Sequence, residues 1–347
     1  MVETDKNIFS NFTFIDLFAG IGGFHLALST LGAKCVFASE WDKYAAETYL
    51  TNFQLKPFGD ITKIDEKVIP KHDILCGGFP CQSFSIAGKQ KGFEDTRGTL
   101  FFDIARIVNH HKPKILFLEN VKNLAKHDNG KTLQIIIQTL EKLDYTVYTK
   151  VLNASNFGLP QNRERIYIVA FNKQIDSSTF KFPTPSNNPV CLENILENNP
   201  TNAKVIERTD IDIYKDYNCS NTLFGELELL NKPIQIGKVN KGGQGERIYH
   251  PLGHAITLSA YGGGVGSKTG LYLINGKIRK LSPRECARVQ GFPDSFILNN
   301  VDTQSYKQFG NSVSINVLQH ILFEITNVLS NNKIEPKKEK TKELVYE

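Results

Sequence analysis

Residues 13–41 read TFIDLFAGIGGFHLALSTLGAKCVFASEW, and this stretch decides the fold. An apolar run (13–18) breaks into a glycine-rich turn, and a run with helical apolar spacing (24–32) follows. A second apolar run (34–40) then ends in Glu40 and Trp41, the only tryptophan. Strand, turn, helix and strand in that order form the unit of a parallel sheet with crossover helices. Outward along the chain the unit repeats: runs at 73–79, 114–121, 146–152 and 165–171 read as strands, and 41–53, 99–111 and 131–143 as helices. In the last of these, Leu133, Ile136, Ile137, Leu140 and Leu143 recur at helical spacing. The prediction is an α/β fold: a doubly wound, mostly parallel, Rossmann-like sheet with helices on both faces, and a second, smaller strand- and loop-rich domain.

Near Pro183 the pattern changes. Residues 183–233 are rich in Asn, Pro, Asp and Glu, and 234–281 are glycine-rich and strand-like. Ser282-Pro283-Arg284-Glu285 is a capping box with proline at the first helical position, so a helix is predicted to begin there. After a loop near 291–302, residues 313–329 carry helical apolar spacing and are expected to pack back on the first domain. The expected division is a large catalytic and cofactor-binding domain (1–190), a small target-recognition domain (191–281), a hinge and returning C-terminal helix (282–330), and a charged mobile tail (331–347).

Composition narrows the class. With 347 residues, 40% apolar and 22% charged, the chain reads as a globular protein with a substantial core. No run approaches the ~18 apolar residues of a membrane span. The start, MVETDKNIFSNF, lacks a basic and apolar leader, so a cytoplasmic location is expected. Six cysteines (35, 76, 81, 191, 219, 286) are scattered without CxxC spacing, as reduced thiols are, and no metal site is expected. Residues 235–290 hold nine Lys/Arg against two Glu, a net +7 that leaves −2 for the rest of the +5 chain. A basic segment of this kind is either a solvated face or a surface for a polyanion.

The glycine turn Asp16-Leu-Phe-Ala-Gly-Ile-Gly-Gly23 lets a ligand approach the backbone and exposes helix amides. Glu40, twenty residues after Gly20, stands where a carboxylate reaches ribose hydroxyls. Gly20, Gly22 and Gly23 crowd together rather than forming a full dinucleotide fingerprint, which favours S-adenosylmethionine over a nicotinamide cofactor. Trp41 is either a core aromatic or a stacking partner for adenine, and Asp60 is placed to accept from an adenine amino group.

Residues 77–100, GGFPCQSFSIAGKQKGFEDTRGTL, put Pro80 and Cys81 directly after a buried-strand run and before a loop carrying three glycines. Cys81 is a nucleophile or an ordinary buried cysteine, and its neighbours must decide. Glu119 closes the apolar run KILFLENV (114–121) as a polar end group or a proton donor. QNRER (161–165) aims Arg163 and Arg165 from one turn, and FGNSV (309–313) reads as a glycine turn opening the last helix, a candidate cofactor wall.

IDLFAGIGG, GGFPCQSFS, ENVKN, QNRERIYIVA, RKLSPRECARVQGFPDS and FGNSVSINV together resemble the DNA (cytosine-5) methyltransferases, in order and in spacing. The resemblance implies S-adenosylmethionine held by Phe18, Gly20, Gly22, Gly23, Glu40, Trp41, Asp60, Ile61, Pro80, Leu100 and Asn311. It implies catalysis by Cys81 and Glu119, with Arg163 and Arg165 in support. It implies double-stranded DNA as substrate, contacted by Gln244, Arg247, Thr257 and Tyr261, with a flipped-out cytosine and a lid at 83–98. The segments KGGQGERIY and ITLSAYGGG are similar to those of a GCGC-recognising member, implying that site, a monomeric enzyme and a companion restriction endonuclease. Ala87 departs from that member, which carries a serine helping to fill the gap left by the base. The rivals are an RNA cytosine-5 methyltransferase, a catalytically silent DNA-binding protein of the same fold, and, least favoured, a nicotinamide oxidoreductase.

Overall fold

The computed structural model describes residues 9–80, 100–186, 190–214 and 232–332. Six strands, β1 (Thr13–Leu17), β2 (Lys34–Ser39), β3 (Ile74–Gly78), β4 (Ile115–Val121), β5 (Tyr145–Asn153) and β6 (Glu164–Asn172), form one sheet in the order β2-β1-β3-β4-β6-β5. The pairs β1–β2, β1–β3 and β3–β4 are parallel, whereas β6 is antiparallel to both β4 and β5. One reversed strand in a parallel sheet is what the alternation predicts only in part: it gives the strands but not the direction of β6. The reversal follows from the short connection between β5 and β6, which is too brief for a crossover helix.

Both faces of this sheet are covered, because its strands are apolar at consecutive positions. On one face Phe14, Cys76, Phe117, Tyr167 and Val169 pack under α1 (Gly23–Ser29) and the last helix, α7 (Ile315–Asn331). On the other, Ile15, Leu75, Leu116, Leu118 and Ile168 pack under α3 (Leu100–His111) and α4 (Lys131–Lys142). Ile136 and Leu140 of the predicted 131–143 stripe are fully buried. The strand period of two therefore sends Asp16, Glu119 and Arg165 to the α1/α7 face. α2 (Lys43–Phe53) lies beyond β2, capped by Asp42, whose side chain accepts from the Tyr44 and Ala45 N–H groups.

The second sheet runs β11-β10-β9-β8-β7, built from β7 (Asp212–Ile213), β8 (Ile234–Lys238), β9 (Arg247–His250), β10 (Leu271–Ile274) and β11 (Lys277–Arg279). Its own small core comprises Ile206, Ile236, Val239, Ile248, Leu271 and Ile278. At Ser282 the capping box forms as predicted: the Ser282 Oγ accepts from the Glu285 N–H (3.1 Å), the Glu285 carboxylate accepts from the Ser282 N–H (2.8 Å), and α5 (Pro283–Val289) follows.

One expectation needs correcting. The C-terminal return is not a loop and one helix: α6 (Asp302–Asn311) intervenes, so Phe309, Gly310 and Asn311 are its last residues rather than a turn opening the final helix. α6 carries no apolar stripe to betray it. Its buried residues are Ser305, Gln308, Phe309 and Gly310, and Gln308 is held by its Nε2 donating to the Tyr44 carbonyl at 3.0 Å. α7 does pack back on the first sheet, sharing a core with α1. No helix of the described residues is long and apolar enough to cross a membrane.

Candidate active site

Glu119 lies two residues before the end of β4, beside Gly78 of β3, its register partner. Only 7% of it is exposed, and Arg165, brought alongside by the reversed strand β6, sets its Nε 3.1 Å from Glu119 Oε1. Burial pushes the Glu119 carboxyl above the usual range, against the opposing pull of Arg165 and Arg163. Glu119 is therefore more than a polar end group: its proton is retained to higher pH than that of an ordinary carboxyl, and one guanidinium fixes its orientation. Arg165 is further held by its Nη1 donating to the Glu164 carbonyl at 2.8 Å.

Arg163 behaves differently. It is buried, and its guanidinium donates to the carbonyls of Leu258 (3.1 Å), Gly310 (3.2 Å) and Ser312 (2.6 Å). It thus clasps the 258 segment and the α6–α7 joint to the start of β6. Burial, then Arg165, push its pKa down to about 9, with Glu119 opposing.

Two residues that the sequence did not single out complete this corner. The Asn120 Nδ2 donates to the Phe79 carbonyl (2.8 Å) and its Oδ1 accepts from the Val121 N–H (2.8 Å). It ties β4 to the residue just before Pro80. Gln161, fully buried, accepts from the Leu258 N–H at 3.1 Å and donates to the Val289 carbonyl at 3.3 Å. Neither tie has a local signal, since each joins residues far apart in sequence. Pro80 is exposed at the end of the described segment, and Leu100 is half-buried at the start of α3. Cys81, the 83–98 lid and Ala87 lie outside the described residues, as does the tail from residue 333 onward.

The glycine turn curls because Phe18, Gly20 and Gly22 adopt φ of +54°, +55° and +85°. Its shape is locked by Glu40, whose two carboxylate oxygens accept from the Gly20 N–H (2.8 Å) and the Asp42 N–H (2.7 Å). Burial raises the Glu40 pKa, with those backbone donors opposing. Gly22 has no alternative, since a Cβ there would stand 2.2 Å from Phe53 Cε2. Gly22→Ala is expected to cost roughly 2–4 kcal/mol, from the left-handed backbone and the overpacked ring together. Thermal unfolding checks it, and a wild-type melting temperature would refute the packing argument. Gly23 meets Val313, which also approaches Gly78, so the 309–313 segment does stand between the glycine turn and the end of β3.

Trp41 is 83% exposed, which removes the core-aromatic alternative. An indole left that open beside a half-buried acid is apolar surface awaiting a cover. Asp60 caps a short helical turn through Thr62, and its neighbour Ile61 is buried. Asn311 is exposed. Acid, exposed indole and open turn fit a nucleoside-bearing group such as S-adenosylmethionine.

On the second sheet, Gln244 and Arg247 are exposed and Tyr261 is 74% exposed. Their loops are pressed together: the Gly266 N–H donates to the Gly245 carbonyl at 2.7 Å, and a Cβ on Gly245 would lie 2.1 Å from the Gly263 oxygen. The Thr257 hydroxyl donates to the Asn162 carbonyl, next to Arg163. The loops bearing Gln244, Arg247 and Tyr261 are thus pressed together, and Thr257 is tied to the residue before Arg163.

Comparison with known proteins shows the family to which the chain belongs. Residues 12–327 match the family described as C-5 cytosine-specific DNA methylase. The chain is 54% identical over 332 residues to the type II methyltransferase M.HhaI of Haemophilus parahaemolyticus, covering 95% of this chain and 99% of that relative. It is 45% identical over 342 residues to the type II methyltransferase M.HpaII of Haemophilus parainfluenzae, covering 95% and 93%. Among solved structures, the S. pombe Dnmt2 methyltransferase superposes with a TM-score of 0.66 at 21% identity, covering 92% of this chain and 99% of that one.

Proposed function

Because this chain belongs to the C-5 cytosine-specific DNA methylases, enzymes that draw their methyl group from S-adenosylmethionine, we propose that it methylates carbon 5 of a flipped-out cytosine in duplex DNA through a covalent Cys81 adduct at carbon 6. The observation that carries the proposal is the buried, proton-retaining Glu119 held by Arg165, across from Gly78 near the end of the strand that leads to Pro80.

Carbon 5 of cytosine is a poor nucleophile, so the ring must first be activated. The Cys81 thiolate forms a bond to carbon 6 while Glu119 gives its proton, or a hydrogen bond, to ring nitrogen 3, and the electron pair of the 5,6 double bond becomes available at carbon 5. The bound donor supplies an electrophilic methyl on a sulfonium. Loss of the carbon-5 proton and expulsion of Cys81 restore the ring. Arg165 orients Glu119 and is suited to hold the cytosine carbonyl oxygen. Arg163, its Nη1 and Nη2 groups donating to carbonyls, is a positioning residue.

In this reading the glycine turn, Glu40, Trp41, Asp60, Ile61, Pro80, Leu100 and Asn311 hold the donor. Extracting the base costs a few kcal/mol; Gln244 fills the vacated space, and Arg247, Thr257 and Tyr261 contact the duplex. Residues 1–190 house the chemistry, 191–281 read the site, 282–330 return to the first sheet, and 331–347 form a charged tail. The likeness to M.HhaI in the 242–249 and 256–264 segments supports GCGC as the target. It also supports a monomeric cytoplasmic enzyme within a restriction-modification system, sharing its site with an endonuclease.

The deciding experiment supplies methyl-labelled S-adenosylmethionine with duplex DNA and, separately, with transfer RNA, then maps the product with bisulfite. Label on cytosine carbon 5 of duplex GCGC is expected. Label on an exocyclic amine, or on RNA alone, would sink the reading.

A further inference from the structure

Positive charge gathers in one place that the catalytic site does not use, the seam between the outer edge of the second sheet and α6. β11 is the edge strand, and residues 204–206 run along it, with Val205 opposite Arg279. The Lys280 N–H donates to the Lys204 carbonyl at 3.0 Å, and the Lys280 Nζ reaches Ser267 Oγ at 3.3 Å and stands 5.9 Å from the Tyr306 ring of α6. Lys268 extends its Nζ to the Thr303 carbonyl in the first turn of α6, at 3.2 Å. No salt bridge among the described residues engages any of the three. The carboxylate at this seam, Asp302, accepts instead from the Asn202 side chain at 3.2 Å.

Three like charges gathered with no salt bridge repel one another, the more so where Lys268 and Lys280 are half-buried. Burial first, and then Lys204 and Lys268, hold the Lys280 pKa below the ordinary lysine range. A bound anion would relieve that repulsion. The setting indicates which anion: the Lys268 carbonyl accepts from the Ser259 N–H at 2.9 Å, so the cluster adjoins the segment that carries Thr257 and Tyr261. It is also continuous with the rim proposed above for duplex DNA.

We infer that Lys204, Lys268 and Lys280 form a phosphodiester-binding site for the duplex flanking the target, an anchor outside the recognition sequence. The inference rests on duplex DNA being the substrate. These lysines meet the phosphate backbone rather than bases, so they contribute affinity and salt dependence without sequence preference.

The test is the salt dependence of binding for the full chain, wild type against the Lys204→Gln/Lys280→Gln double variant. Fluorescence anisotropy is read on a duplex extending a full helical turn beyond the site and on one trimmed to the site. On the long duplex the slope of log affinity against log salt is expected to become shallower by about 0.9 for each phosphate that the variant no longer neutralises. On the trimmed duplex wild type and variant should coincide. An unchanged slope on the long duplex, or an equal change on both, overturns the inference. Lys280→Arg should restore the slope, and the exposed Lys204→Gln alone provides the reading if the double variant melts early. Wild-type protein that fails to bind either duplex would remove the underlying substrate reading and this inference with it, an outcome distinct from an active wild type with an unaltered variant.

Discussion

Cys81→Ala should reduce methyl transfer by roughly four orders of magnitude or more, the scale seen when a covalent nucleophile is deleted, while duplex binding persists. The reason is specific to the chemistry. Only the bond to carbon 6 needs sulfur, whereas the contacts proposed for the duplex lie on the second sheet's rim, away from residue 81 in sequence. Without that bond, carbon 5 has no source of electron density, and neither the donor nor Glu119 can compensate. Single-turnover incorporation of label and anisotropy on the same duplex separate the two effects. Wild-type turnover by the alanine variant would refute the covalent assignment; joint loss of turnover and binding would show that residue 81 matters for the fold instead.

Glu119→Gln is expected to lower the single-turnover rate by roughly 10²–10⁴-fold, the usual share of general acid catalysis, with cofactor affinity little changed. The amide keeps the shape and one hydrogen bond but has no proton to give. The pH dependence follows from the direction of the shift. Burial raises the Glu119 pKa, so the wild-type acid form persists into a range where an ordinary carboxyl is ionised, and activity declines as pH rises through that raised value. The variant should lose this alkaline decline. An identical pH profile in wild type and variant would assign the proton to another group. The same shift has a stability consequence. A folded-state pKa above the unfolded one means that the folded chain binds the proton more tightly, so the stability present below the unfolded value is lost as pH rises through the raised folded value.

Both predictions concern residues visible in the sequence, which raises the question of how far local reading extends. Hydrophobic period reports the secondary structure of any segment whose buried side is apolar, so the six strands of the first sheet and its helices at 131–142 and 315–331 were legible. Caps are equally local, and Ser282 with Glu285 formed the predicted box because all its partners lie within one turn. α6 escaped because its buried side chains are mostly polar and satisfied by distant groups, such as Gln308 against Tyr44 and Thr48.

Residue types and their order determined by themselves that this chain folds as an α/β sheet protein with a glycine turn, an acid and a strand-end Glu119. What only the tertiary structure decided is what those residues meet. Glu119 acquires Arg165 because β6 runs antiparallel to β4, a direction that no side-chain period encodes. Arg163 resembles Arg165 in sequence, yet it is spent on the carbonyls of Leu258, Gly310 and Ser312, about 95 to 149 residues away. The physical reason is one of range: period, caps and turns act within a few residues, whereas desolvation and charge pairing depend on everything the fold brings within a few ångströms. The sheet's register is what set the Glu119 carboxylate against Arg165 in a buried place, where its pKa is raised.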